Sequence, residues 1–290
     1  MHTTTADPLA TEALELPQNL GLTIQPRAPD DDAGDAEPAM NPAPEFFDVL
    51  REQFSAVGLA LRREGLVTGL CMLFFSAVLL LRQFGGGPTQ LPFTFKEGVA
   101  TAMMALLIPM AVWKGEEPAR RGYHQSMPVD HGDHAIARGA AGLGWTLAAV
   151  GAFFGWMGLL TLATGGSVEA GEPWQWLAPV IGATVTYLLG SALTLVSARP
   201  WRWLGGGAVA YLFLGMFRRS DGLTPLVDLV DAVFTGRFGL RTLLTGLVRN
   251  PADTYPWMVP DLGAWITTVW IWVVMAVAAF LVAAHRQPEN

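Results

Sequence analysis

The chain has 290 residues, 51% of them hydrophobic and only 15% charged, with a mean hydropathy of +0.35. Soluble domains carry about 25% charged residues, so lipid is expected to be the main solvent, and the net charge of −7 argues against a nucleic-acid partner. The single cysteine, Cys71, excludes disulfides and a cysteine-based zinc site within one chain and reads as a small buried hydrophobe.

The charge is unevenly spread. Residues 1–48 hold ten carboxylates against Arg27 alone. Acidic, rich in Pro and Ala and poor in aromatics, residues 1–43 cannot bury enough apolar surface to fold and are expected to form a disordered cytosolic tail. They lack the basic start and apolar core of a signal peptide. Over residues 44–64, Phe46, Leu50, Phe54, Val57 and Leu61 recur at three- and four-residue spacing, opposite Asp48, Arg51, Glu52, Gln53, Arg62 and Arg63. That stripe predicts an amphipathic helix lying on the membrane surface, or packed on a partner. Both readings leave it cytosolic.

Residues 65–286 are expected to form a six-span transmembrane domain. Its apolar runs are Leu66–Leu81, Gly98–Trp113, Gly139–Gly165, Trp176–Ala198, Trp203–Phe217 and Gly263–Ala284. A spanning helix needs about 20 residues, which the third, fourth and sixth runs meet. The first two are shorter, but flanking Arg82, Lys96 and Glu97 can snorkel while their helices continue. In the fifth, Gly205–Gly207 would let a neighbouring backbone approach closely. Trp113, Trp174, Trp176, Trp201, Trp203 and Trp257 stand near run ends, where interfacial anchors belong.

The basic residues set the orientation. With both termini cytoplasmic, Arg62, Arg63, Lys114, Arg120, Arg121, Arg138, Arg199, Arg202 and Arg286 flank cytosolic ends. Arg218, Arg219, Arg237, Arg241 and Arg249 oppose this, lying in the outer segment 218–262. Within that segment Thr224-Pro225 reads as a helix start, followed by Leu226, Val227, Val230, Val233 and Phe234 at helical spacing. A second short helix is predicted from Leu240 through Leu243, Leu244 and Leu247. Joined at Gly236–Gly239, the two suit a re-entrant helical hairpin before the last span, with a surface-lying loop as the alternative.

A polar island, residues 114–138, separates the second and third runs. Glu116-Glu117-Pro118-Ala119-Arg120-Arg121 is a literal EExxxR string, as in one family of intramembrane prenyl-type proteases. Yet Pro118 interrupts it, and no histidine lies inside an apolar run. His124, Asp130, His131 and His134 carry metal-ligating groups, and residues 131 and 134 would share a helix face. The alternative makes Asp130 a helix N-cap and Asp133 a first-turn acid. The run cores hold essentially no ionisable residue, which disfavours a charged proton relay. Thr161, Thr184, Thr186, Tyr187, Ser191, Thr194, Thr267 and Thr268 are expected to make helix-packing hydrogen bonds. Gly190-Ser191-Ala192 lacks the context of a nucleophile elbow. No GxxxxGK[ST] string is present, so ATP hydrolysis by that route needs another chain.

The island's acidic-basic stretch, then Arg120-Arg121-Gly122 and Ser126-Met127-Pro128-Val129 before a polar helix start, resembles the cytosolic loop of ABC-2-type transporter permeases. Met127 stands where that family usually has Leu. The resemblance covers about residues 44–286, more by architecture than by identity. It implies an all-α polytopic fold with six transmembrane helices, an N-terminal amphipathic interfacial helix and re-entrant helices between spans five and six. It also implies a permease subunit of an ATP-driven exporter in the bacterial inner membrane. A separate ABC ATPase subunit would dock on the loop, through Glu116, Glu117, Arg120, Arg121, His124, Pro128 and Asp130. A second permease copy, or a homologous permease, and the lipid bilayer would complete the assembly, with no cofactor in this chain. A membrane-bound metal-dependent enzyme using His124, Asp130, His131 and His134, and a non-transporting membrane scaffold, are the alternatives.

Overall fold

The computed structural model describes residues 46–84, 98–114, 131–166, 172–197, 199–216, 224–249 and 257–286. All belong to the unit Pro44–Asn290, and the acidic stretch 1–43 lies outside the described residues. The chain is predominantly helical: α1 (Phe46–Ala60), α2 (Arg62–Phe84), α3 (Gly98–Val112), α4 (His131–Ala163), a 3-10 turn (Pro173–Leu177), α5 (Ala178–Val196), α6 (Pro200–Met216), α7 (Thr224–Thr235), α8 (Leu240–Thr245) and α9 (Leu262–His285). The remaining regular structure is one short antiparallel pair, Val248 opposite Met258 and Arg249 opposite Trp257.

Three helical segments are long and apolar enough to cross a membrane: Gly132–Ala163, Pro173–Val196 and Leu262–His285. They correspond to the third, fourth and sixth runs of the sequence. At 1.5 Å per residue, the 33-residue α4 is about 50 Å long, well beyond the roughly 30 Å of a hydrocarbon core. The polar start before Gly139 takes up about 12 Å of that surplus. The helix begins at His131 with Asp133 in its first turn, where a carboxylate favours the positive helix end. Asp130 lies outside the described residues.

Helix α5 is the axis of the bundle. It packs along α3 and α9, and also against α4 and α8. Small residues let it sit between so many neighbours. A methyl at Gly190 would stand 3.1 Å from the ring of Pro109 in α3, and one at Gly182 would stand 2.7 Å from the Leu244 side chain in α8. The main core gathers Val112, Val150, Tyr187, Leu195 and Phe280 around this axis, with Val57 of α1 closing one side. A smaller cluster of Val185, Leu243 and Ala276 joins α5, α8 and α9.

The glycines of α6 behave differently. No atom stands within 4 Å of a methyl built at Gly205, Gly206 or Gly207. The close backbone approach expected at that cluster is therefore not made by any described residue. Helix α6 has only scattered contact with other elements, and Trp201, Trp203, Val209 and Leu212 are exposed.

The hydroxyls also depart from expectation. Thr161, Thr184, Thr186, Thr194, Thr267 and Thr268 each donate to the carbonyl four residues back in their own helix. A helix offers these short side chains a nearby acceptor, so they turn inward to it and leave the neighbouring helix to others. Cross-element bonds fall instead to longer groups. Trp156 Nε1 donates to Ser76 Oγ at 2.8 Å, Trp145 Nε1 to the Phe54 carbonyl at 3.0 Å, and Trp272 Nε1 to the Phe238 carbonyl at 2.9 Å.

Candidate docking face at the loop end

One end of the bundle gathers the polar island's two ends and the amphipathic helix. Helix α1 lies against the first half of α4, with Val57 only 1% exposed. Phe54 stacks on Trp145 with ring centroids 5.2 Å apart and planes inclined by 27°. Glycines make this contact possible. A methyl at Gly58 would lie 2.8 Å from the Trp145 ring, and one at Gly144 would lie 2.8 Å from the Phe54 ring. The indole N–H of Trp145 closes the interface on the Phe54 carbonyl. The apolar stripe read from the sequence thus has a described use, packing on α4, while Phe47 and Leu59 remain exposed.

Beside it, the C-terminal end of α3 meets the first turns of α4. Arg138 donates twice to the Val112 carbonyl, from Nε at 3.1 Å and from Nη2 at 2.7 Å. A helix's last carbonyls have no partner within the helix and carry partial negative charge, so a guanidinium is the natural group to meet them. The same guanidinium lies over the Trp113 ring, 5.9 Å from its centroid. Trp113 in turn faces Phe280 of α9 at 6.4 Å. At 4% exposure Trp113 is an internal packing residue, not the interfacial anchor its position in the sequence suggested. Among the described residues its buried indole N–H finds no acceptor.

The next residues of α4 fit just as tightly. Gly139 lies under the Phe280 ring, and Gly142 lies against the Tyr187 hydroxyl, with Val112 Cγ2 3.1 Å from a methyl built there. Residues 138 and 142 share one face of the helix. That face therefore meets α3, α5 and α9 within a single turn. Tyr187 Oη and Ser191 Oγ are buried one turn apart on α5, and among the described residues neither bonds to another element.

The residues expected to dock a partner, Glu116, Glu117, Arg120, Arg121, His124, Pro128 and Asp130, all lie in 115–130, outside the described residues. Exposed Lys114 and helix-borne Asp133 mark where that segment leaves and rejoins the bundle. Among the described residues, no three His, Cys, Asp or Glu side chains stand together in a way that could hold a metal. His134 is described. His124 and Asp130 are not, nor is the side chain of His131.

Sequence reasoning treated Arg138 as one more charge flanking a span. The signal for its role was an arginine immediately before a 27-residue apolar run, with Gly139 and Gly142 following. Its acceptor is a backbone carbonyl 26 residues away, which no residue type announces.

The opposite end has its own constellation. Helices α7 and α8 are separated at Gly236–Gly239, where the sequence placed the break. Thr242 Oγ1 donates to the Gly236 carbonyl at 3.1 Å, and Trp272 takes the Phe238 carbonyl. Arg237 reaches Asp261 at 3.9 Å, and Asp261 also caps α9 by accepting from the Ala264 N–H at 3.0 Å. One of the arginines that opposed the orientation rule is thus paired with a carboxylate. Trp174 and Trp265 pack with centroids 4.7 Å apart, beside Gln175 and Gly246.

Comparison of the chain with protein-family models, curated proteins and solved structures finds no match.

Proposed function

We propose that the chain is the membrane-spanning permease subunit of an ATP-driven exporter of the ABC-2 type. It lies in the bacterial inner membrane with both termini cytoplasmic. Spans two, four and six are α3, α5 and α9, running toward the cytoplasm, and α2, α4 and α6 run the other way. A separate ATPase docks on residues 114–138, through Glu116, Glu117, Arg120, Arg121, His124, Pro128 and Asp130. A second permease copy completes the substrate route.

The observation that carries this reading is the convergence at the loop end. The amphipathic α1, the C-terminal ends of α3, α5 and α9 and the start of α4 meet where the polar segment leaves and rejoins the bundle. A segment that receives work from outside must be attached to the elements it moves. Here its two attachments touch three other helices directly.

The hairpin end supports the same reading. Trp272 is ten residues into α9, about 15 Å along it, and its indole leans back toward the helix start. The bond from Trp272 to the α7–α8 turn favours the re-entrant reading of this pair. Non-helical backbone at membrane depth is tolerated when protein satisfies it, and Trp272 and Thr242 do so. Arg237 then extends toward the interface to meet Asp261.

The test is association. Purified from its native membrane, the full chain is expected to bring with it a subunit carrying a Walker-type ATPase motif. Reversing charge with Arg120→Glu and Arg121→Glu together is expected to abolish that co-purification and leave membrane insertion intact. Recovery of the chain alone with stoichiometric metal overturns the reading. Unchanged association of the double variant removes the docking role from the two arginines.

A further inference from the structure

We propose that Arg138 is a positioning residue, the joint that binds the two attachments of the polar segment into one rigid unit and passes its displacement to α5 and α9. The purpose of that displacement rests on the permease reading; the joint itself rests on the geometry.

Three features make the joint. First, two of the donor nitrogens of Arg138, Nε and Nη2, converge on one acceptor, the Val112 carbonyl, at 3.1 and 2.7 Å. A single charge-assisted bond leaves a hinge. Two donors from one planar group onto one oxygen, with the same plane resting near the Trp113 ring, restrict rotation as well as separation. The end of α3 and the start of α4 therefore move together.

Second, the joint has no slack toward its neighbours. Trp113 contacts Phe280, and Phe280 covers Gly139, the residue after Arg138. The α9 ring is thus held between the two helices that the arginine ties. One turn on, Gly142 touches the Tyr187 hydroxyl of α5. Close-packed interiors transmit a shift because they have no free volume to absorb it. A displacement of the joined ends, Val112–Trp113 and Arg138–Gly142, along the bundle pushes Tyr187, Phe280 or both.

Third, among the described residues the receiving hydroxyls of α5 are not pinned to another helix. Tyr187 Oη and Ser191 Oγ are buried one turn apart, and neither bonds to a different element. A shift of α5 therefore breaks no bond from these hydroxyls to another helix, and a neighbouring arrangement is close in energy. The joint is rigid, and what it pushes against has somewhere to go.

The experiment uses the full chain with Cys71→Ser as background, reconstituted in liposomes, with spin labels on cysteines placed at Lys114 and Asp133, both exposed. A second labelled pair, Lys114 and Ser197, reports the end of α5. Pulsed EPR is expected to give one narrow distance distribution for each pair. Arg138→Gln should broaden the first at least twofold and shift the second. Arg138→Lys, which keeps the charge but leaves a one-donor hinge, should give a width between those of Arg138→Gln and the unsubstituted residue. Trp113→Leu, which leaves both hydrogen bonds in place, should broaden both pairs by less and remains informative if Arg138→Gln does not fold. Unchanged distributions in Arg138→Gln or in Trp113→Leu overturn the joint. So does an Arg138→Lys distribution as broad as that of Arg138→Gln. No partner is needed for these distances. A broadened Arg138→Gln with no co-purifying ATPase would therefore uphold the joint and sink only the permease reading.

Discussion

The two ends of the bundle solve one problem by opposite means. At each, a helix end leaves backbone carbonyls that lipid, in a membrane, could not satisfy. The loop end meets its carbonyl with a cation, Arg138, carried by an element 26 residues distant, and locks it between aromatic rings and glycines. The hairpin end uses neutral donors, the Trp272 indole and the nearby Thr242 hydroxyl, around a far shorter element than α4, the six-residue α8. The first arrangement ties distant helices to one another and leaves no room. The second fixes a local turn against one helix. From this contrast the loop end should resist small added volume badly, and the hairpin end should be sensitive to lost donors instead.

The largest expected effect comes from adding one methyl at the loop end. Gly142→Ala drives a Cβ into the Tyr187 hydroxyl, with Val112 close on the other side. Overpacking of a tight interior costs about 1–3 kcal/mol, and here the upper part of that range is expected as a lowered Tm of the full chain. Tyr187→Phe removes the obstructing oxygen, which among the described residues bonds to no other helix. The double variant should therefore recover most of the loss. Failure to recover would place the strain on α3 and break the link from α4 to α5.

How much of this was legible beforehand follows the kind of interaction. Burial patterns were readable. The three longest apolar runs are the three helices long and apolar enough to span, and the stripe from Phe46 to Leu61 is a helix whose Val57 and Phe54 face α4. Turn chemistry was readable too, since Thr224-Pro225 and Gly236–Gly239 bound α7 and the break before α8. Backbone acceptors were not. Nothing in the residue string says that the Val112 or Phe238 carbonyl needs a donor, so Arg138 and Trp272 passed as a flanking charge and an apolar residue. Threonines were misjudged because their own helix competes for them. Glycines cannot be sorted by type alone: Gly142 is pressed by a neighbour, while Gly205–Gly207 meet none among the described residues.

A middle-sized effect is expected at the hairpin end. Trp272→Phe keeps the ring and deletes the N–H that the Phe238 carbonyl accepts. An unpaired carbonyl in a dry setting costs about 1–3 kcal/mol. Water can replace the donor in detergent more easily than in lipid, so the loss of Tm should be greater in liposomes than in micelles. Amide hydrogen exchange should rise over Gly236–Thr245 and stay unchanged over residues 131–146. Equal protection loss at both ends would mean that the two constellations are one cooperative unit, and the comparison would fall.

The smallest effect tests the glycines that touch nothing. Replacing Gly206 by Ala in the middle of α6 adds a methyl with no described atom within 4 Å, and it removes the backbone entropy that glycine loses on entering a helix. That difference favours Ala by about 0.5–1 kcal/mol, so a slight rise in Tm is expected, opposite in sign to Gly142→Ala. The sign carries the information. The same one-carbon change is harmful where α4 is hemmed by α3, α5 and α9, and helpful where α6 stands away from its neighbours. A fall in Tm at Gly206 would mean that a surface beyond the described residues presses on α6 as closely as Tyr187 presses on Gly142. Dilution into excess lipid would then separate the sources, because contact with a second copy weakens on dilution whereas contact with lipid does not.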